Sequence, residues 1–333
     1  MPERHRNFSV DFLKLFFISI IVLHHSGLLS HFLYRANFAV EFFFFLSGYF
    51  ICYTFEKGVS FSDFVKKRIK KLFPGYLSAY ILISLVYFFL GEFKYKAPYG
   101  PFLELLMFQS VGIPNSEGIN YPLWYLSVLF YGGILLFFMK RVINHKLFNV
   151  ICVLIVVIVY SYLCFNPNGV ELWGYCFDVI YIPFWRGVAD LIIGMWIYYL
   201  PKLSYKIGRV LQLTSFFATI ILFFIPGNLN YILTVFPALL VYVSTTNKTV
   251  FDGISNNPIL LKCYPYQYYI FLNHALGIRI CHYAFSHIEL PVPIEILIIL
   301  CTVAFFAIVM KAITDSTVRL FETALKKQGE QIL

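Results

Sequence analysis

Ten stretches of about twenty residues, each almost free of charge, follow one another along this 333-residue chain and leave no polar segment long enough to fold by itself in water. A helix advances only about 1.5 Å per residue, so roughly twenty apolar residues are needed to cross the hydrocarbon of a bilayer. Lipid offers no partners for backbone N–H and C=O groups, which makes each such run a helix. The runs span 10–29, 38–55, 73–90, 123–139, 147–165, 179–200, 210–225, 231–246, 264–285 and 292–312. The expected fold is therefore an all-α, polytopic membrane helix bundle with about ten transmembrane helices, a single domain over residues 1–333. Hydrophobic residues make up 60% of the chain and charged ones 13%, which excludes an ordinary soluble domain.

Lysine and arginine sort the ends of these runs into two sets. Arg4, Arg6, Lys57, Lys66, Lys67, Arg68, Lys70, Lys71, Lys140, Arg141, Lys146, Lys202, Lys206, Arg209, Lys248, Lys262, Lys311, Arg319, Lys326 and Lys327 fall on one side. Arg35, Lys94 and Lys96 fall on the other. A basic excess marks the cytoplasmic loops, so both termini are expected in the cytoplasm. The first run has no small-residue cleavage site and is expected to stay as a span. The same asymmetry accounts for the net charge of +9 without a nucleic-acid partner. The seven cysteines are scattered, with no Cys-x-x-Cys pair and no His/Cys cluster at ligand spacing, so no metal is expected. Most of the thiols are expected to be small buried apolar groups, and a disulfide is not expected even between Cys164 and Cys176, which flank one short loop. The longest outer connection, 91–122, holds "YGPFLELLMFQSVG", too short to cross and expected to lie at the outer surface or to re-enter the bundle.

Ionisable residues at membrane depth cost a few kcal/mol each, roughly, and so tend to face a bundle interior or a pathway. The first run, "DFLKLFFISIIVLHH", carries Asp11, Lys14, His24 and His25. At about 1.5 Å per residue Lys14 lies about 6 Å in and His25 about 22 Å in. Eleven residues of helix return to within about 20° of the starting direction, so Lys14 and His25 share a face, with Asp11 about 40° away and His24 turned by about 100°. An interfacial Asp11–Lys14 pair with a snorkelling lysine is the structural alternative. Glu41 opens the second run on the outer side. Arg186 and Asp190 lie in the sixth run, four apart, where they can neutralise each other or serve a site. His274 and Arg279 lie in the ninth. His25, Glu41, Arg186, Asp190 and Arg279 are expected to converge in the outer half, above Lys14 and the basic loop from Lys66 to Lys71.

Six segments, in order, carry a resemblance: "VDFLKLFFISIIVLHH", "VEFFFFLSGYFI", "FVKKRIKKLFPGYL", "LWYLSVLFYG", "FWRGVADLIIG" and "YPYQYYIFLNHALG". Together they resemble the successive landmarks of the acyltransferase 3 family, integral membrane enzymes that acylate envelope carbohydrates. Lys14 and His25 match the family's basic residue and histidine of the first span, Asp11 the acid before them, and Phe44 to Gly48 its Phe-Phe-x-x-Ser-Gly-like segment, with Glu41 where Asp is often found. Arg68 and Pro74 match the basic approach to the third span, and Trp124, Arg186 and His274 match later landmarks. Lys14 stands where arginine is commoner, which keeps the charge and loses the bidentate fork.

The resemblance implies an O-acyltransferase, an O-acetyltransferase first, that takes its group from acetyl-CoA or a related acyl-CoA in the cytoplasm. The acceptor it implies is a hydroxyl of an envelope or exported polysaccharide, or of a lipid-linked carbohydrate precursor. The setting is a multi-pass protein among the lipids of a bacterial inner or plasma membrane. Lys14, Lys67, Arg68 and Lys71 are the candidates for holding the donor, Arg68 foremost for a phosphate. His25 can act as a base or carry the acyl group itself, with Arg186 or Arg279 against the oxyanion. Some relatives continue into an extracytoplasmic hydrolase-like domain. This chain is expected to stand without one, leaving room for an extracytoplasmic partner protein. The reading from another class is a transporter of a lipid-linked or anionic sugar intermediate.

Overall fold

The computed structural model describes residues 7–113, 118–166, 176–177, 180–227, 229–246 and 250–331. In chain order its helices are α1 (Phe8–His25), α2 (Asn37–Glu56), α3 (Phe61–Phe89), α4 (Gly100–Leu105), α5 (Trp124–Val142), α6 (His145–Phe165), α7 (Ile182–Ile197), α8 (Tyr205–Phe224), α9 (Val235–Thr246), α10 (Asp252–Ser255), α11 (Pro258–Cys263), α12 (Gln267–Ala284) and α13 (Val292–Gln331). A two-residue antiparallel pair, β1 (Cys176–Phe177) and β2 (Ile180–Tyr181), precedes α7.

Among the described residues seven helical stretches are long and apolar enough to cross a membrane: α1, α2, α3, Tyr121–Val142, α6, α8 and Val292–Leu320. The other three expected segments also fall on helices. Of these, α7 has 16 residues and α9 has 12, too short by length, whereas α12 carries Asn273, His274, Arg279 and His282 among its apolar residues.

Helix caps set boundaries that hydropathy does not. The Ser60 hydroxyl accepts from the Asp63 amide at 3.1 Å and donates to its carboxylate at 2.8 Å, a capping arrangement that starts α3 at Phe61. The run from Lys66 to Lys71 is therefore helical and not the loop expected of it. At the other end of the chain α13 continues past residue 312, with Lys311 bonded to Asp315 at 2.5 Å across one turn. Its 40 residues reach about 60 Å, well beyond a hydrocarbon core.

Packing divides into three apolar cores. One joins α1, α2, α8 and α9, a second joins α2, α3, α5 and α7, and a third joins α1, α12 and α13. α2 is common to the first two, and its seam with α7 brings backbone to backbone. A Cβ on Gly48 would lie 2.9 Å from Gly194 Cα and run into the Leu191 carbonyl, and one on Gly194 would meet the Phe45 carbonyl. Close approach of this kind is what small residues provide between membrane helices. Beside this seam the Ser47 hydroxyl lies 3.3 Å from the Tyr125 hydroxyl on α5.

The segment "YGPFLELLMFQSVG" tucks against α3 and α5. Tyr131 donates to the Leu106 carbonyl at 2.7 Å, the Phe108 ring stacks on Tyr131, and Met107, Gln109 and Ser110 are buried. Cys52, Cys152 and Cys281 are buried thiols, and Cys164 is a free thiol; the Cys176 side chain lies outside the described residues, as do Arg4, Arg6 and Lys248.

Candidate active site

Both ends of the polar face of α1 meet α12. At the first end Lys14 pairs with Asp11 at 3.2 Å, and Gln267 donates its side-chain amide to the Asp11 carbonyl at 2.5 Å. The Lys14 ammonium also lies 5.9 Å from the centre of the Phe50 ring. At the second end His25, the last residue of α1, lies with Nδ1 2.8 Å from Nε2 of His274. Their rings are parallel to within 5°, with centroids 5.0 Å apart. His24 points elsewhere, as the rotation predicts, its Nδ1 3.0 Å from the Leu33 carbonyl oxygen.

The partners assign the tautomers. His274 Nδ1 is 2.7 Å from the Phe271 carbonyl oxygen, which only accepts, so that nitrogen carries hydrogen. A neutral His274 then accepts at Nε2, and His25 must donate from Nδ1. A neutral His25 with its hydrogen on Nδ1 keeps a lone pair on Nε2. Among the described residues nothing bonds that nitrogen. An unprotonated imidazole nitrogen so held can take a proton from a hydroxyl or attack an acyl carbon.

The remaining expected charges do not converge on His25. Arg186, 1% exposed, donates to the equally buried Glu41 carboxylate, tying α7 to α2. Asp190, one turn on, accepts from the hydroxyls of Tyr160 at 2.6 Å and Tyr231 at 2.9 Å instead of pairing with Arg186. Arg279 is held at the edge of the fold by both carboxylate oxygens of Glu92. Each charge found a partner nearer than the expected centre, because an unpaired charge inside the bundle costs several kcal/mol, roughly.

The basic stretch splits by helical face. Arg68 shares a face with buried Phe64, Leu72 and Tyr76, turns inward, and donates to the Leu129 carbonyl at 2.8 Å while stacking on Phe64. Lys66, Lys67, Lys70 and Lys71 are exposed. Lys70 and Lys71 line a cavity of about 370 Å³ between α3, α12 and α13, together with Tyr269, Thr314, Asp315 and Arg319. Tyr269 lies five residues before His274 on α12, about 7.5 Å lower along the axis. Trp124 opens α5 and packs near Phe44, centroids 5.9 Å apart. Among the described residues no group of three or more His, Cys, Asp or Glu side chains is disposed to hold a metal.

One residue with no signal among the many aromatic residues stands close to His25, and a second, buried acid supports it from behind. Tyr121 and the His25 imidazole are nearly perpendicular with ring centroids 5.1 Å apart, and Glu104 anchors the backbone that carries Tyr121. The profile of a family described as an acyltransferase domain matches residues 7–312. This chain belongs to the acyltransferase 3 family. No curated protein and no solved structure matches it significantly. The acyltransferase is thus a multi-pass membrane protein that transfers groups other than aminoacyl groups.

Proposed function

We propose that this acyltransferase moves an acyl group, acetyl first, from cytoplasmic acyl-CoA to a hydroxyl of an envelope or exported polysaccharide or of its lipid-linked precursor. The observation that carries the reading is the chain from His25 through His274 to the Phe271 carbonyl, which leaves Nε2 of His25 basic and unbonded among the described residues. In this reading the whole chain is one domain in the cell membrane, ten helices cross, and both termini are cytoplasmic. The gathering of Lys70, Lys71 and Arg319 around one cavity supports that orientation.

The donor's phosphates bind at that cavity, with Lys67 adding to the field at the same end. Lys14, steadied by Asp11, marks the lower part of the α1–α12 seam along which the thioester reaches His25. There Nε2 takes the proton of the acceptor hydroxyl as its oxygen bonds to the thioester carbonyl carbon. The C–S bond then breaks, the ester stays on the acceptor, and the proton passes from the imidazolium to the departing thiolate. Arg186 and Arg279, engaged by carboxylates, are assigned no step.

The test is acyl-CoA turnover by purified protein, with mass spectrometry of envelope polysaccharide, at equal abundance of wild type and His25→Ala. Turnover and the acyl mass difference are expected to vanish in the variant, although His24 is still present one residue away. Acyl transfer retained by His25→Ala would sink the proposed role. A wild type without acyl-CoA turnover would favour the reading as a transporter of a lipid-linked or anionic sugar intermediate.

A further inference from the structure

The turn that brings Tyr121 to His25 is built with unusual care for an outer loop. Glu104, fully buried, accepts hydrogen bonds from the Tyr95 hydroxyl at 2.6 Å and from the Ile119 and Asn120 amides at 3.0 and 3.1 Å. A side chain at Gly118 would collide with that carboxylate. The Asn120 side chain donates to the Leu272 carbonyl at 3.2 Å, two residues before His274. The same helix, α12, thus holds both the imidazole pair and the turn Tyr121–Leu123 that follows. Two amides and one side chain fix the backbone immediately ahead of Tyr121.

The residue so fixed is not itself part of the core. Tyr121 is 47% exposed, and its hydroxyl has no partner among the described residues. Its ring lies at 79° to the His25 imidazole. An aromatic face carries negative charge density, which suits the face of C–H bonds that a pyranose ring presents. A flexible aliphatic alcohol gains little from such a surface.

We infer that Tyr121 is an acceptor-binding residue, a fixed aromatic shelf on which a pyranose ring rests so that one of its hydroxyls reaches Nε2 of His25. The inference rests on the acyl-transfer reading above. Binding and chemistry separate, however, since the shelf acts whether or not the imidazole is competent.

Saturation-transfer NMR with the full-length protein in lipid nanodiscs and methyl α-D-glucopyranoside as probe reads the shelf directly, with glycerol as the control. Transfer to the pyranoside is expected with wild type, Tyr121→Phe and His25→Ala, and its loss is expected in Tyr121→Ala and in the bulkier Tyr121→Leu. Undiminished transfer in both Tyr121→Ala and Tyr121→Leu overturns the inference and leaves Tyr121 as an interfacial anchor. Loss in Tyr121→Phe equal to that in Tyr121→Ala also overturns it, because the hydroxyl and not the ring would be the contact. Absence of transfer to the wild type, or equal transfer to glycerol, overturns it as well. His25→Ala that binds the pyranoside yet retains turnover would strike the acyl-transfer role of His25 and leave the shelf standing.

Discussion

Replacing His274 tests the tautomer argument at its weakest joint. In His274→Leu the side chain keeps much of its volume, but the Nδ1 hydrogen of His25 loses its acceptor at 2.8 Å. A buried donor left without a partner costs about 1–3 kcal/mol. The imidazole can escape that cost by moving its hydrogen to Nε2, the nitrogen that must be bare to act. At about 1.4 kcal/mol per tenfold, the competent tautomer falls about 5- to 150-fold, and kcat falls with it. Under the proposed reading the donor's phosphates bind at the Lys70–Lys71 cavity and not at His274, so KM for acyl-CoA should stay put. In His274→Gln the amide oxygen stands close to where Nε2 was and can accept from His25, so much of the rate should return. The assay is CoA release by purified protein, with thermal midpoints measured alongside. Equal losses in the Leu and Gln variants at unchanged stability would refute the reasoning, as would a Leu variant with wild-type kcat.

Three further outcomes follow from the same contacts. Glu41→Gln removes the carboxylate that pairs with Arg186 across α2 and α7 and should lower unfolding stability by about 3–5 kcal/mol, most of it regained when both positions are made apolar; a thermal melt in detergent checks this. Alanine at Lys70, Lys71 and Arg319 together should raise KM for acyl-CoA about tenfold in low salt, a gap that closes as salt is added; a salt-independent KM would place the donor elsewhere. Burial raises the pKa of the Glu104 carboxyl, although the Tyr95 hydroxyl and two amides pull it down. The folded chain then binds that proton more tightly than the unfolded one. This contribution is full below the unfolded value of about 4.3 and is lost as pH rises through the folded value. Glu104→Gln should flatten that part of the stability profile, and a slope unchanged by the substitution would assign it to other groups.

Much of the fold is legible in hydropathy because lipid imposes one solution on a long apolar run, and every expected segment falls on a helix. Ends are less legible where a cap or an ion pair carries the helix past the hydrocarbon, as Ser60 does for α3 and the Lys311–Asp315 pair for α13. Rotation about a helix is readable from spacing alone, which is why His25 and not His24 faces α12. The same arithmetic at 64, 68 and 72 already turns Arg68 inward, though its charge suggests otherwise. Which charge meets which is a tertiary matter, and the expected meeting of five groups dissolves into local pairs. Tyr121 had no chance of standing out among 25 tyrosines and 38 phenylalanines. Its place depends on Glu104, seventeen residues earlier, through contacts that no period in the sequence announces.

The seam between α2 and α7 bears on how such a molecule can move. Its backbones touch at Gly48 and Gly194, and the Glu41–Arg186 pair bridges the same two helices two turns along α2. Sliding one helix past the other would drive carbonyl against Cα, and parting them would separate opposite charges where little water is at hand to receive them. Rocking of two halves about a central site, the motion by which many carriers expose cargo first to one side and then to the other, would have to carry α2 and α7 together. With its wall so pinned, the bundle suits a relay more than a gate. Under the acyl-transfer reading the helices stay in place while a two-carbon group is handed from one molecule to another.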